Sequence, residues 1–311
     1  MDRNPDIYAG IVSQIPERFN RKANKLSKIS DFAIVCSGIL CYSMNRILPE
    51  RKDMRMTQDA LYQKLKNGQV IRGSHVFAGM PILTEAMAQA GFDVLWLDME
   101  HTAIGIESVV NNMIAAKAGG TPAWVRIPWN DPVRAKPVLD MGAEGIIFPY
   151  VRTAEEAKLA AAACSYPPEG VRGYGPLRAL DYGGITQMEY VTKTYRRCLR
   201  IIQIEHIDAV RNLREIASVD GIDAFIVGPN DLSGSVGKIG LVQDPELMDL
   251  YREIGAVLTD MGKPFGVSTG CNPAFLQFWR SIGATILFAG NDVGYVYEGA
   301  QAAKALLNNI E

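Results

Sequence analysis

The chain has 311 residues, 48% of them hydrophobic, enough apolar material for a large core. Lys and Arg number 32 against 34 Asp and Glu, and the formal charge of −2 removes any electrostatic case for nucleic-acid binding. Five cysteines, at positions 36, 41, 164, 198 and 271, form no CxxC pair, which points to reduced thiols of a cytoplasmic protein and away from a disulfide frame or a zinc site.

Residues 1–58 stand outside the pattern that follows and read as an N-terminal extension whose role the sequence leaves unknown. They are basic in places (Arg18, Arg21, Lys22, Lys25, Lys28), and the apolar stretch 32–44 is too short to cross a bilayer. It also begins too deep in the chain for a signal peptide, so a packing or peripheral helix with no membrane role is expected. Met54 and Met56 precede a helix-like stretch, 59–66, that would open an ordinary barrel enzyme, so the start of the native chain is left open between them and Met1.

From residue 70 onward eight apolar, β-rich runs follow one another: 71–77, 94–98, 123–127, 145–149, 199–205, 224–228, 264–268 and 285–289. Helical periodicity fills intervals between them, at 106–118, 154–163, 209–217 and 245–260. Runs hydrophobic along their whole length suit a parallel sheet covered on both faces. Eight such strands with intervening helices favour a closed (β/α)₈ TIM barrel of the α/β class over 59–311, as opposed to an open sheet. No GxGxxG follows any strand, which argues against a dinucleotide site. Between the fourth and fifth runs, the prolines and glycines of 166–178 exclude a helix interior and predict a long ordered loop. Arg172 and Arg178 in it are candidates for gripping a substrate carboxylate or for bracing the neighbouring subunit.

A barrel places its chemistry at the C-terminal strand ends. In order these ends carry Asp98, Glu100 and His101, then Arg126, then Glu205, Asp231 and the pair Ser268 and Thr269, with Asp140 in the segment before the fourth strand. Glu205 and Asp231 stand 231 − 205 = 26 residues apart, the length of one strand-helix-strand unit. Two parallel neighbours would bring both acids to one end of the sheet, where hard oxygen ligands suit Mg²⁺, Mn²⁺ or a similar divalent cation. The bland alternative is that each carboxylate caps the helix after it, a habit stronger in Asp than in Glu. His75, inside the first run among apolar residues, reads as a hydrogen-bonded core histidine. By strand alternation His206 points away from Glu205 and reads as structural or as a support behind the ligands.

As a set, Asp98-Met-Glu-His101, Val125-Arg-Ile-Pro128, Leu139-Asp-Met-Gly-Ala143, Tyr166-Pro-Pro-Glu-Gly-Val-Arg-Gly173, Gln203-Ile-Glu205 and Gly228-Pro-Asn-Asp-Leu-Ser233 resemble the HpcH/HpaI family of class II 2-oxo-acid (hydroxy-ketoacid) aldolases. The likeness runs in order over about residues 60–310, roughly four-fifths of the chain. It implies a (β/α)₈ barrel assembled as a hexamer, with Glu205 and Asp231 holding a divalent metal (Mg²⁺, Mn²⁺ or Co²⁺) to which pyruvate or a related 2-oxo acid chelates. It implies that His101 is the general base, Asp140 the acid that tunes it and Arg126 the enolate-stabilising arginine, while Gln203 and the backbone at Asn230 contact substrate. The chain departs from the pattern at His206, where a smaller polar residue is common, at Asn230, where Ala is frequent, and in its N-terminal extension. These departures bear on the substrate more than on the reaction.

Retro-aldol cleavage of a 4-hydroxy-2-oxo acid to a 2-oxo acid and an aldehyde needs an electron sink, supplied by a lysine Schiff base or a metal, and a base for the hydroxyl proton. None of the eight runs contains a lysine, which leaves the metal. Arg126 has the fixed fork to stabilise a developing oxyanion. Imidazole, which titrates near pH 6.5 in water, suits His101 to proton transfer, with Asp140 as its orienting carboxylate. One rival is a CoA-thioester lyase of the citrate-lyase β or malyl-CoA type, which would need a basic CoA site and further C-terminal chain. The other is a non-catalytic barrel that senses a small acid, which would have no need to keep His101, Arg126 and Asp140 together.

Overall fold

A computed structural model describes residues 56–308 and residue 310. The expectations for the extension up to residue 55, including the stretch 32–44, Cys36, Cys41 and the possible start at Met54, lie outside the described residues. Two units are distinguished: Arg51–Glu298, which holds every described strand, and a second whose described part is the last stretch of chain from Gly299.

Eight parallel strands close into a barrel in sequence order, each paired with the next and the last with the first. They are β1 (Ile71–Val76), β2 (Val94–Asp98), β3 (Ala123–Arg126), β4 (Gly145–Phe148), β5 (Leu199–Ile204), β6 (Ala224–Val227), β7 (Phe265–Thr269) and β8 (Ile286–Asn291). Helix α1 (Gln58–Lys66) precedes β1, and α2 (Pro81–Gln89), α3 (Ile106–Gly119), α4 (Pro132–Asp140) and α5 (Ala154–Cys164) follow β1 to β4. Helix α6 (Gln187–Thr192) lies in the long β4–β5 connection, and α7 (Ile207–Arg211) and α8 (Leu213–Ala217) follow β5. Next come α9 (Pro229–Ser235) and α10 (Pro245–Asp260) after β6, α11 (Pro273–Ser281) after β7 and α12 (Asp292–Leu307) after β8. The α/β barrel expected from the periodicity is therefore the fold observed.

Strand alternation splits the core in two. Val94, Trp96, Trp124, Ile147, Leu199, Ile201, Ala224, Ile226, Ile286 and Phe288 fill the lumen, and residues of the opposite parity pack outward against the helices. Three lumen side chains, Trp96, Trp124 and Phe288, are wholly buried, and burial of each contributes about 1.5–3 kcal/mol or more. They fit because Gly73 and Gly145 stand opposite: a Cβ there would lie 2.2 Å from the Phe288 ring or 2.4 Å from the Trp124 ring.

Helix starts follow the sequence chemistry. Thr57, Asp131 and Asn272 accept hydrogen bonds from the first turns of α1, α4 and α11, and Thr153 with Glu156 forms a capping box at α5. The single helix expected over 209–217 is two. Asn212 breaks it, turning its side-chain amide to donate to the Arg152 carbonyl at 2.9 Å. At the seam, pairing moves from Gly73↔Phe288 to His75↔Asn291, two residues along β1 against three along β8. The extra residue makes a bulge around Gly290, whose φ of 68° is left-handed.

Candidate active site

At the C-terminal ends of β2 to β6 the chain gathers most of the charged groups singled out from sequence. Asp98, fully buried, accepts two hydrogen bonds from Arg126, 2.8 Å from Nε and 2.6 Å from Nη2. This side-on fork fixes the guanidinium plane. The other end of the guanidinium, Nη1, lies 2.9 Å from Glu100 Oε2 and donates to Gln203 Oε1 at 3.4 Å, while the face rests 5.2 Å over the Trp96 ring. Gln203 donates its amide to Glu205 Oε2, and the Tyr150 backbone N–H donates to Glu205 Oε1 at 2.7 Å. Tyr150 holds a left-handed φ of 57° to do so, a conformation unusual for a residue with a side chain.

Glu205 is buried, with 2% of its surface exposed. Burial, aided by the neighbouring carboxylates Glu100 and Asp231, pushes its carboxyl up to about 8 against the opposing pull of the Tyr150 N–H and Arg126. Burial likewise holds Glu100 above the ordinary carboxylate range, despite Arg126 and His101 beside it. Its Oε2 is a buried oxygen without an aligned hydrogen bond. Asp231 and Asn230 are exposed in the first turn of α9, and Asp231 acts electrostatically on both glutamates. Asp98, Glu100 and Glu205 thus crowd a single buried guanidinium, with Asp231 acting on the two glutamates, a crowding of carboxyl groups that a divalent cation would relieve. Among the described residues no three His, Cys, Asp or Glu side chains converge as a complete cage. Two carboxylates, Glu205 and Asp231, could hold such an ion if other positions were left to substrate oxygens and water, the habit of Mg²⁺-type ions. Gly228 permits the arrangement, since a Cβ there would lie 2.8 Å from both Gln203 Nε2 and Glu205 Oε2.

His101 is exposed at the same rim, and the nearest carboxylate oxygen is Glu100 Oε2, 3.8 Å from its Nε2. Asp140 is not brought to it within this chain. It is the last residue of α4, a helix that runs back toward the N-terminal strand ends, and it accepts from Arg172 Nη2 at 2.7 Å. Sequence order alone cannot tell the two ends of the barrel apart for a residue outside a strand. Arg172, 3% exposed, also donates to the Tyr190 hydroxyl and lies over the Tyr166 ring. Arg178 donates to the Met141 carbonyl at the end of α4. Both arginines brace the long loop, beside a hollow of about 500 Å³ that Glu144 also lines.

His206 caps α7, accepting from the Asp208 N–H through Nδ1, so it is structural as alternation suggested. His75 is a buried, hydrogen-bonded lumen histidine, also as expected. The grip of Asp98 on Arg126 was not read from sequence, although Asp98 and Arg126 both end strands. Nor was the Tyr150 N–H, which no side-chain pattern signals.

A sequence profile described as HpcH/HpaI aldolase/citrate lyase matches residues 74–270. The 5-keto-4-deoxy-D-glucarate aldolase of Escherichia coli O9:H4 (strain HS) is 34% identical over 221 residues, covering 71% of this chain and 86% of that protein. The crystal structure of an HpcH/HpaI aldolase from Desulfitobacterium hafniense DCB-2 superposes with a TM-score of 0.75 at 29% identity, over 81% of this chain and 97% of that one. An HpcH/HpaI aldolase/citrate lyase family protein from Burkholderia cenocepacia J2315 does so with a TM-score of 0.76 at 26% identity, over 81% and 100%.

Proposed function

The chain belongs to the HpcH/HpaI aldolase/citrate lyase family and is a carbon–carbon lyase, and on that premise we propose that it cleaves a 4-hydroxy-2-oxo acid reversibly to pyruvate, or a related 2-oxo acid, and an aldehyde. The observation that carries this reading is the crowding of carboxyl groups around Glu205 and Asp231, beside an arginine clamped in one plane. Glu205 and Asp231 would hold the divalent cation, which when bound draws electron density from the 2-oxo group and so supplies the electron sink. No lysine lies in any of the eight strands to offer a Schiff base instead.

Arg126 contributes fixed positive charge where the 2-oxo oxygen turns negative. Held by Asp98, it needs no reorganisation during the reaction. Gln203, between Arg126 and Glu205, orients both. Asn230 and Asp231, exposed at the start of α9, border the place of the substrate carboxylate. His101 takes the C4-hydroxyl proton as the carbon–carbon bond breaks, the enolate left behind takes a proton from solvent at C3 to give the 2-oxo acid, and both transfers reverse in the aldol direction. Glu100 is the carboxylate that the chain itself sets beside it.

The reading is tested by following exchange of pyruvate methyl protons in D₂O, with retro-aldol release of pyruvate from 4-hydroxy-2-oxo acids. Both activities should need Mg²⁺, Mn²⁺ or Co²⁺ and vanish with EDTA. Turnover that survives exhaustive EDTA, or a borohydride-trapped lysine adduct, would sink it.

A further inference from the structure

The charged groups around Arg126 come from β2 to β6, whereas the side closed by β7, β8 and β1 presents Ser268 and His75, the buried Asp292 carboxylate there being taken up by the backbone N–H groups of Phe77 and Ala78. There Ser268, half-buried at the end of β7, lies 2.8 Å through Oγ from His75 Nε2, and His75 Nδ1 lies 2.8 Å from the Gly290 carbonyl. The seam bulge aims that carbonyl inward, and glycine suits position 290 because its φ of 68° is left-handed and a Cβ would lie 2.3 Å from the Tyr295 hydroxyl. A carbonyl only accepts, so Nδ1 carries the ring proton. Burial lowers the His75 imidazolium to about 4, so the ring is neutral at ordinary pH and Nε2 is an acceptor. The Ser268 proton is therefore committed to His75, its one hydrogen-bond partner among the described residues. What Ser268 still offers is lone pairs, which accept from an O–H and repel a carboxylate.

The pair is not a nucleophile with its base. An imidazole that weakly basic, with a neutral carbonyl and no carboxylate on Nδ1, does not deprotonate a serine at neutral pH. Location gives the other half of the argument. Ser268 ends the strand next to β6, from which the chain enters the turn carrying Asp231. His75 packs 5.2 Å from Trp96, the ring under the Arg126 guanidinium.

We propose that Ser268, positioned by His75, accepts a hydrogen bond from a hydroxyl of the substrate portion that leaves as the aldehyde, and so selects hydroxylated over apolar aldehydes. This rests on the aldolase reading above. The test is the ratio of kcat/KM for glyceraldehyde to that for butyraldehyde, each condensed with pyruvate. Ser268→Ala should lower the ratio about tenfold, the worth of one neutral hydrogen bond, whereas Ser268→Thr should hold it within about twofold. His75→Met should lower it as Ser268→Ala does, and His75→Gln, which keeps an acceptor, should preserve it.

An unmoved ratio in Ser268→Ala, or equal loss with Thr and Ala, overturns the proposal. Wild-type protein that turns over neither aldehyde counts against the aldolase reading alone. Calorimetry of metal-free wild type and Ser268→Ala with glycerate and butyrate then decides for Ser268 without turnover. A preference of about tenfold for glycerate that the alanine abolishes supports it, and no preference, or one the alanine keeps, overturns it.

Discussion

Asp98 and Arg126 act as a unit, and each side of the pair should respond differently to substitution. Removing one member of a buried, bidentate pair leaves an uncompensated charge, so Asp98→Ala should cost about 3–5 kcal/mol in urea unfolding as well as activity. Arg126→Lys keeps the charge but loses the fork, and its kcat should fall steeply with a smaller change in stability. His101, exposed and with Glu100 as its partner among the described residues, should show the opposite balance. His101→Ala should lower kcat by about 10²–10⁴ while the melting temperature stays within error of wild type. A fully active His101→Ala enzyme would mean that the base is misassigned.

At the scale of elements, two connections set the site's geometry. The turn from β6 into α9 approaches β5 so closely that Gly228→Ala must push Glu205 or Gln203 aside. Divalent-cation affinity, measured by calorimetry, should fall at least about tenfold, the usual effect of disturbing groups that hold metal ligands. Affinity equal to wild type would show that Glu205 does not hold the ion. The long β4–β5 connection is stapled by Arg172, and Arg172→Met, which strands the Asp140 carboxylate, should cost about 3 kcal/mol in chemical denaturation. By the same contact, Asp140→Asn should act on stability and leave the pH–rate profile in place; a shifted acidic limb would instead restore its pairing with His101.

For the molecule as a whole, burial of neutral His75 ties stability to pH. Its folded value near 4 lies below the 6.5 of the unfolded chain, so the unfolded state binds the extra proton between them. The contribution, about 3 kcal/mol, is fully present above pH 6.5 and is lost as pH falls through 4. His75→Gln should flatten that acid limb in thermal melts across the range. An unchanged slope would show that His75 is not the group responsible.

This barrel was legible because parallel strands buried on both faces are apolar throughout, and Ile71, Val94, Ala123, Gly145, Leu199 and Ala224 open strands where the runs open. Residues at strand ends were legible for the same reason: Arg126, Glu205 and Asp231 inherit their place from the strand before them. Asp140, at a helix end, had no such anchor: its motif pairs it with His101, whereas within this chain Arg172 holds it. The His75–Ser268 bond joins residues 193 apart through a bulge, and no local pattern announces such a contact.

The lumen aromatics have a practical consequence. Trp96 sits wholly buried with the Arg126 guanidinium above one face and the His75 ring tilted against it at 5.2 Å. Its indole therefore lies in the electric field of the groups proposed to meet the substrate. Entry of a cation or a 2-oxo acid changes that field while the ring stays packed, so emission should shift with ligand occupancy. The enzyme carries its own optical gauge, and Trp96→Phe would silence it while Trp124, Trp129 and Trp279 continue to fluoresce.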